Sequence, residues 1–537
     1  MIFGRATTRY AFPKFLSHSP NPKSIGEAIS SFNSLLHMNP QPSIVRINKI
    51  LGSVVKMKHQ RTAISLFAQA ECKGFSPCLV TLNILINCHC HLGNMPSAFS
   101  ILGRILKMGC QPDIITLNTL LKGLSISNNV REALVFHNDI LTKGFQLDEV
   151  SYGILINGFC KIGKTSAALE MLRKMERGLV KPDLIIYNTV IDGLCKEGLA
   201  IEAKKLYHEM TDRGISPNIV THNSLIHGFC CMDQLLEATW LLNKMVLEGI
   251  RPSIYTFNIL VDAFCKNESA TKAEAIVGMM MKCGTKPDVI TYNALMDGYC
   301  MMNHVNESKR VLNKMIKSDL TPDVFSYNIL INGLCKIKKI GEAMDLFQEM
   351  RCKSLVPNVV TYSSLIDGLF KSGKISTVQE LIYEMHDNGH LPDIITYNIL
   401  LDGLCKSQHL DEAIMLFNKI VGLGIQPNTH TYTILIDGLC KGGRLNTAQQ
   451  VFQYLLVNGH PLDVQAYSAM INGFCKEGLF DEAKALFFQM GENGCLPNFV
   501  TFETIIGTLL EKGENDKAGN VLDEMFARGL LKTIKEG

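Results

Sequence analysis

Proline recurs on a fixed 35-residue register through almost the whole chain. Pro77, Pro112, Pro182, Pro217, Pro252, Pro287, Pro322, Pro357, Pro392, Pro427 and Pro497 all fall on it. Glycine stands three residues before many of these slots, at Gly74, Gly109, Gly214, Gly249, Gly284, Gly389, Gly424 and Gly494. Gly144, Gly459 and Gly529 hold the same register where the proline is missing. Glycine ends a helix because it enters the left-handed conformation without a Cβ clash, and a proline just beyond keeps the helix from resuming. Taking the residue two after each proline slot as position one divides residues 44–533 into fourteen units without insertion. They start at Ile44, Leu79, Ile114, Glu149, Leu184, Ile219, Ile254, Val289, Val324, Val359, Ile394, Thr429, Val464 and Phe499. A repeat of this length overrides the several globular domains that 537 residues would otherwise suggest.

Each unit carries two helical stripes. In residues 464–498, Tyr467, Met470, Ile471 and Phe474 are spaced i, i+3, i+4, i+7, and after a turn at Gly478 the residues Ala483, Leu486, Phe487 and Met490 repeat that spacing. Two helices of about three turns cannot bury both stripes alone, so consecutive hairpins must stack. The expected fold is all-α, a right-handed α-solenoid of about fourteen stacked 35-residue helical hairpins. With 47% hydrophobic residues the chain can fill such a core. Upstream, residues 26–43 carry Ala28, Phe32 and Leu35 before Pro42, the pattern of a second helix alone, and read as a degenerate half-repeat capping the stack. Residues 1–25 contain Arg5, Arg9, Lys14 and Lys23 among hydroxyl and aromatic residues, with no Asp or Glu, which is the make-up of an organellar transit peptide. Residues 534–537 form a short tail. No apolar run approaches the ~18–20 residues of a membrane span.

The first stripe reads V-V-T-Y-N-x-L-I-D/N-G-L/F-C-K, as in Ile290-Thr291-Tyr292-Asn293 and in the run from Ile185 through Tyr187, Asn188, Ile191, Asp192, Gly193 and Cys195 to Lys196. This resembles the pentatricopeptide repeat. The W-x-x-L-G pattern of tetratricopeptide repeats is absent, and the chain has one Trp, Trp240. Uniform unit length is similar to the P-type subclass, and the segment SFNSLLHMNPQPSIVRINKIL resembles the restorer-of-fertility-like group. The resemblance implies a plant organellar protein, mitochondrial or alternatively plastid. Such a protein binds single-stranded RNA, one nucleotide per repeat, and acts in RNA processing, stability or translation with recruited factors.

Positions five, nine and thirteen lie four residues apart and share one face of the first helix, away from its core stripe. Position five is Asn48, Asn83, Asn118, Asn188, Asn223, Asn258, Asn293, Asn328 and Asn398, varying to Gly153, Ser363, Thr433, Ser468 and Glu503. An amide donates and accepts, so a column of them along one open groove suits base edges; the alternative is an asparagine that caps its own helix. Position two is mostly aliphatic or aromatic: Val45, Val80, Ile115, Val150, Ile185, Val220, Ile290, Phe325, Val360, Ile395 and Val500. The resemblance implies that these side chains sandwich each base, while ordinary core packing is the alternative. Position thirteen carries Lys56, Lys161, Lys196, Lys266, Lys336, Lys371, Lys406, Lys441 and Lys476, a basic track for phosphates or else solubilising surface charge.

The resemblance further implies that positions five and thirty-five together choose the base. It assigns uracil to Asn83 with Asp113, Asn118 with Asp148, Asn258 with Asp288 and Asn293 with Asp323, and a pyrimidine to Asn188 with Asn218, Asn328 with Asn358 and Asn398 with Asn428. It assigns cytosine to Asn223 with Ser253, guanine to Ser363 with Asp393 and Thr433 with Asp463, and adenine to Ser468 with Asn498. Asn48 with Cys78, Gly153 with Asp183 and Glu503 with Thr533 depart from the usual pairs and have no assignment.

Net charge is only +3, so composition alone demands no polyanionic partner. Ten of eighteen cysteines occupy position twelve: Cys90, Cys160, Cys195, Cys230, Cys265, Cys300, Cys335, Cys405, Cys440 and Cys475. Helical layers lie roughly 8–10 Å apart, beyond disulfide reach of about 7 Å, so the ladder is expected to serve as small packing residues. Cys88-His89-Cys90-His91 looks like a metal cluster, but on a helix these side chains point several ways. No zinc-deaminase signature, phosphate loop or nucleophile motif appears. The sequence therefore points to a binder with no cofactor and no catalysis of its own. A protein-interaction scaffold is the competing class.

Overall fold

The computed structural model describes residues 22, 24–178, 180–460 and 462–528. Most of the transit-like segment, Gly529, Thr533 and the tail 534–537 lie outside them. Among the described residues there are 29 α-helices: one at Ile25–Leu36, then fourteen pairs. Every first helix starts at position one of its unit and runs thirteen residues, from Ile44–Lys56 to Phe499–Glu511. Every second helix begins at position seventeen, from Gln60–Cys72 to Asn515–Ala527.

The chain forms two compact units, residues 1–259 and 260–537, with the boundary inside the helix Ile254–Lys266. In the first unit, Ile25–Leu36 packs on both helices of the hairpin beginning at Ile44. From Ile44–Lys56 to Leu184–Lys196, each first helix packs against its own second helix and against the next first helix, as Leu184–Lys196 does on Ala200–Asp212 and Ile219–Cys231. The second unit repeats this arrangement, with Val324–Lys336 on Ile340–Cys352 and Val359–Lys371. Each unit is thus an α-solenoid segment of stacked hairpins. No described helix is long and apolar enough to cross a membrane.

The sequence explains the boundaries. The residue at position thirty-five is the N-cap of the next first helix: Asp113, Asp148, Asp183, Asn218, Asp288, Asp323, Asn358, Asp393, Asn428, Asp463 and Asn498 all have a side-chain oxygen that accepts from the third backbone N–H of that helix. Such a cap is worth about 1 kcal/mol over alanine. The turn inside every hairpin places position fifteen at positive φ, from Lys58 at 63° to Gly513 at 77°.

Position four anchors the core: Tyr187, Tyr327 and Tyr362 are fully buried, as are Leu121, Ile191, Ile331 and Ile366 at position eight. On the second helix Ala63, Ala98, Ala133, Ala168, Ala203 and Ala238 recur fully buried in the first unit, and Ala273, Ala343, Ala413 and Ala448 in the second. Burying one large side chain contributes roughly 1.5–3 kcal/mol, so each hairpin interface rests on a small repeated set.

The cysteine column is a packing device. A Cβ built on Gly193 would meet Cys160 Sγ at 2.7 Å, one on Gly228 would meet Cys195 Sγ at 2.5 Å, and one on Gly368 would meet Cys335 Sγ at 2.5 Å. The thiol at position twelve therefore sits in the gap left by the glycine at position ten of the next first helix. Burial pushes the Cys195 and Cys335 thiols up to about 12, so they stay protonated and inert.

Candidate nucleic-acid interface

Position two lies outside the core in both units. Val45, Val80, Ile115, Val150, Ile185 and Val220 in the first unit, and Ile290, Phe325, Val360, Ile395 and Val500 in the second, are all more than half exposed, from 52% at Val220 to 71% at Ile185. Ordinary core packing is thereby excluded for this column. Isolated exposed aliphatics are normal on a protein surface, but one at the same position of successive hairpins makes an ordered apolar strip. Tyr255 extends the strip, while His430 and Gln465 interrupt it with exposed polar side chains.

Position five is not an open column. Asn48, Asn188, Asn328, Ser363, Asn398 and Thr433 are buried, and Asn83, Asn118, Gly153, Asn223, Asn258, Asn293 and Ser468 are partly buried, leaving only Glu503 exposed. This corrects the expected open groove of amides. The physical reason is competition from the next hairpin, whose N-terminal turn faces the amide across the seam. Asn83 Nδ2 donates to Asp113 Oδ1 (3.2 Å), Asn118 to Asp148 (3.0 Å), Asn188 to Asn218 (3.3 Å), Asn293 to Asp323 (3.3 Å) and Asn328 to Asn358 (3.2 Å). The amide oxygen in turn accepts from the hydroxyl at position three of the next first helix: Thr116 on Asn83 (2.7 Å), Ser151 on Asn118 (2.6 Å), Thr221 on Asn188 (2.6 Å), Thr256 on Asn223 (2.7 Å), Ser326 on Asn293 (2.7 Å) and Thr361 on Asn328 (2.7 Å). Ser363 and Ser468 make the same link through hydroxyls to Thr396 and Thr501, both at 2.8 Å.

Asparagine at position five therefore does not cap its own helix; the capping is done by position thirty-five. In the units of Asn83, Asn118, Asn188, Asn293 and Asn328 the two positions are joined by a hydrogen bond, and part of their hydrogen-bonding capacity is left over. Asn83 Nδ2 has a second hydrogen, and the bonds to Asp113 from Asn83 and Thr116 N–H both fall on Oδ1, the oxygen that also lies 2.7 Å from the Thr116 hydroxyl. Burial pushes the Asp113 carboxyl up, but the hydrogen bonds from Thr116 and Asn83 outweigh it and hold the group below its ordinary value. Asp148 is held down in the same way by Asn118 and Ser151. An N–H donor beside a charged carboxylate oxygen complements the O and N–H groups along the Watson–Crick edge of uracil.

Several units depart from the pattern. Asn48 donates to Cys78 Sγ (3.3 Å) and accepts from Thr81 (2.8 Å). Burial raises the Cys78 thiol, but hydrogen bonds from Thr81 and Asn48 bring it below its ordinary value. Gly153 offers no polar group, and the next hairpin carries Ile186 where others carry Thr or Ser, its Cγ1 4.0 Å from where a Cβ on Gly153 would stand. Glu149 partly replaces the missing side chain. Its carboxyl is raised above its ordinary value, first by a hydrogen bond with Asp183 and then by burial. The one hydroxyl proton of Thr433 is shared between Thr429 O (2.9 Å) and Asp463 Oδ1 (3.3 Å), the following hairpin having Ala466 instead of a hydroxyl. Asn398 Oδ1 is buried without a partner, since the Thr431 hydroxyl turns to Asn428 (3.0 Å). Ser253 caps Thr256 N–H (3.2 Å) and forms no bond to Asn223. Asn258 belongs to the first unit and Asp288 to the second. The partner expected for Glu503, Thr533, lies outside the described residues.

The lysine track also needs correction. All its members are exposed, but where position nine is aspartate the lysine one turn on is paired. Lys196 meets Asp192 (2.6 Å), Lys266 Asp262 (2.7 Å), Lys371 Asp367 (2.5 Å), Lys406 Asp402 (2.6 Å) and Lys441 Asp437 (2.7 Å). Asp192 raises Lys196 above its ordinary value. Lys56, Lys161, Lys336 and Lys476 follow Gly52, Asn157, Asn332 and Asn472. The charge of the track is thus set unit by unit by position nine, which the sequence reading left out. The position-three hydroxyls are a second group it missed, although their Thr and Ser column is visible in the sequence. Cys88 and Cys90 are buried while His91 is exposed, and no group of three or more His, Cys, Asp or Glu among the described residues could hold a metal.

No curated protein sequence matches the chain. Among solved structures, the pentatricopeptide repeat protein PPR10 from maize is 24% identical, with 95% of this chain and 83% of that chain covered and a TM-score of 0.61. PPR10 in complex with an 18-nt psaJ RNA element is also 24% identical, with 95% and 84% covered and a TM-score of 0.54. These likenesses establish the same fold. The model of the PPR repeat family matches residues 77–126, 112–161, 182–231, 219–266, 287–336, 322–371, 357–406, 392–441, 435–476 and 462–509, and that of the PPR repeat matches 150–178 and 255–285. With more than half of its residues matched and its hairpins stacked in the same fold, the chain belongs to the pentatricopeptide repeat (PPR) family.

Proposed function

We propose that this chain is a sequence-specific single-stranded RNA-binding protein of an organelle, reading one nucleotide per hairpin. One observation carries this reading: exposed apolar side chains at position two recur beside a polar seam, hairpin after hairpin, in each unit. Apolar faces stack on bases of any kind, and the neighbouring polar pair supplies the edge that distinguishes them. The solved complex of PPR10 with an RNA element supports the same use of the fold. The proposed base order is 5′-N-U-U-N-Y-C-U-U-Y-G-Y-G-A-N-3′. The chain acts without catalysis of its own, by blocking or recruiting factors in RNA processing, stability or translation. The N-terminal composition supports an organelle, the uniform repeat length supports the P-type subclass, and the likeness of SFNSLLHMNPQPSIVRINKIL to the restorer-of-fertility-like group supports mitochondria, with plastids as the alternative.

The seam bonds would stabilise the stack even if no RNA bound, so the test must read base identity. Asn293→Thr tests it, because Thr433 shows that a threonine fits this seam. In binding assays with RNAs differing only at the nucleotide facing this hairpin, preference should move from uracil toward guanine. Unchanged preference, or equal binding of all four bases by both proteins, contradicts the reading and leaves a scaffold for protein partners.

A further inference from the structure

The hairpin at residues 359–393 departs from its neighbours at three packing slots. Position twelve is Phe370, where the hairpins beginning at Val324 and Ile394 have Cys335 and Cys405. Position twenty, the small slot of the second helix, is Val378, where they have Ala343 and Ala413. Position twenty-four is Ile382, where they have Phe347 and Phe417. The Phe370 ring fills the gap beside Gly403, where a Cβ would clash with it. Ser363 and Thr396 still join the first helices (2.8 Å), but on the side of the second helices the hairpins part. Ile340–Cys352 packs on the next first helix, Val359–Lys371, and Leu410–Gly422 packs on Thr429–Lys441. Among the described residues, Ile375–Asp387 does not pack on Ile394–Lys406 in this way. Two larger side chains hold the hairpins apart, and the shorter Ile382 leaves the space between them unfilled.

The result is a cavity of about 500 Å³, walled chiefly by Phe370, Val378, Ile382, Leu400, Leu404 and Leu416. Its volume falls within the ~300–1,000 Å³ of small-molecule pockets, which are likewise apolar with a few polar groups. Here the polar groups are Gln379, Glu412 and Lys419. Glu412 is engaged by His409 (3.2 Å). The Lys419 side chain is exposed and, among the described residues, has no hydrogen-bond or ion-pair partner. Glu412 and Lys419 stand seven residues apart on one helix, so the cavity runs about 10 Å between them. One end thus offers an unpaired ammonium, which suits a carboxylate. The apolar length beyond it suits an unbranched alkyl chain.

We propose that this cavity binds a small monocarboxylate with an unbranched alkyl chain, its carboxylate on Lys419 and its chain against Phe370, Ile382 and Leu404. None of the lining residues stands at position two, five or thirty-five, so the site goes beyond the RNA-binding reading and does not depend on it.

The test is isothermal titration of the full chain with butanoate, hexanoate and octanoate, then with 1-octanol and octylammonium. Affinity should rise about fourfold for each added methylene, and octanoate should bind more tightly than the alcohol and the alcohol more tightly than the ammonium. Ile382→Phe should fill the cavity, abolish octanoate binding and raise the melting temperature. Phenylalanine already stands at this slot in the flanking hairpins, so the fold should accept it. Lys419→Gln should keep the dependence on chain length and lose the preference for octanoate over octanol. No octanoate binding to the unmodified chain overturns the proposal, as does equal binding by Ile382→Phe. Tighter binding of octylammonium, or an undiminished octanoate preference in Lys419→Gln, overturns it too, because Lys419 would not then anchor the ligand.

Discussion

At the scale of single residues, one asparagine ties two hairpins together and, on the proposed reading, still has groups to offer a base. Its oxygen is committed to the hydroxyl at position three and one N–H to the cap at position thirty-five, leaving one N–H and the second cap oxygen. The Asp–Lys pairs at positions nine and thirteen act oppositely, neutralising the charge a phosphate would meet. Exposed pairs of this type are worth about 0.3–0.5 kcal/mol, so breaking one costs little fold stability. Asp402→Asn, which frees Lys406, is predicted to tighten RNA binding at low salt. It should steepen the slope of log affinity against log salt by about 0.7, the value for one more contact to a single strand. An unchanged slope would place Lys406 off the RNA path. The sequence made positions two, five and thirty-five legible as columns, because each recurs at the register. The pairing of Asn83 with Asp113 came from the family resemblance, but the bond from Thr116 to Asn83 did not, since it spans 33 residues and leaves no trace in helical periodicity. The seam and the lysine pairing had to come from coordinates.

At the scale of the element, helix boundaries were readable because glycine, proline and the cap residue mark them physically; first helices begin at Ile44, Leu184 and Val464, where the register puts them. The turn at position fifteen was less legible. Lys58, Lys338 and Gln408 adopt the left-handed conformation that glycine takes at Gly93 and Gly478, so only the hairpin geometry explains them. The fit of cysteine against glycine sets how closely successive first helices approach. Gly368→Ala should cost about 1–3 kcal/mol from overpacking, despite the ~1 kcal/mol that alanine gains over glycine in a helix. Its Cβ would lie 2.5 Å from Cys335 Sγ and 2.7 Å from Cys335 Cβ. Adding Cys335→Gly removes both atoms and should recover much of the loss in a urea titration. An additive double variant would show that the close approach is not limiting.

At the scale of the whole molecule, each of the two units repeats one hairpin with local variation in what it presents outward. Net charge is +3 and several track lysines are paired, so binding driven by charge alone should be weak and the discriminating contribution should come from stacking and base edges. The account stands or falls on base identity. The direct measurement is a gel shift at physiological salt comparing 5′-N-U-U-N-Y-C-U-U-Y-G-Y-G-A-N-3′ with a strand of equal length in which purines and pyrimidines are exchanged. The account predicts binding of the first at least tenfold tighter, and equal affinity for the two strands would contradict it.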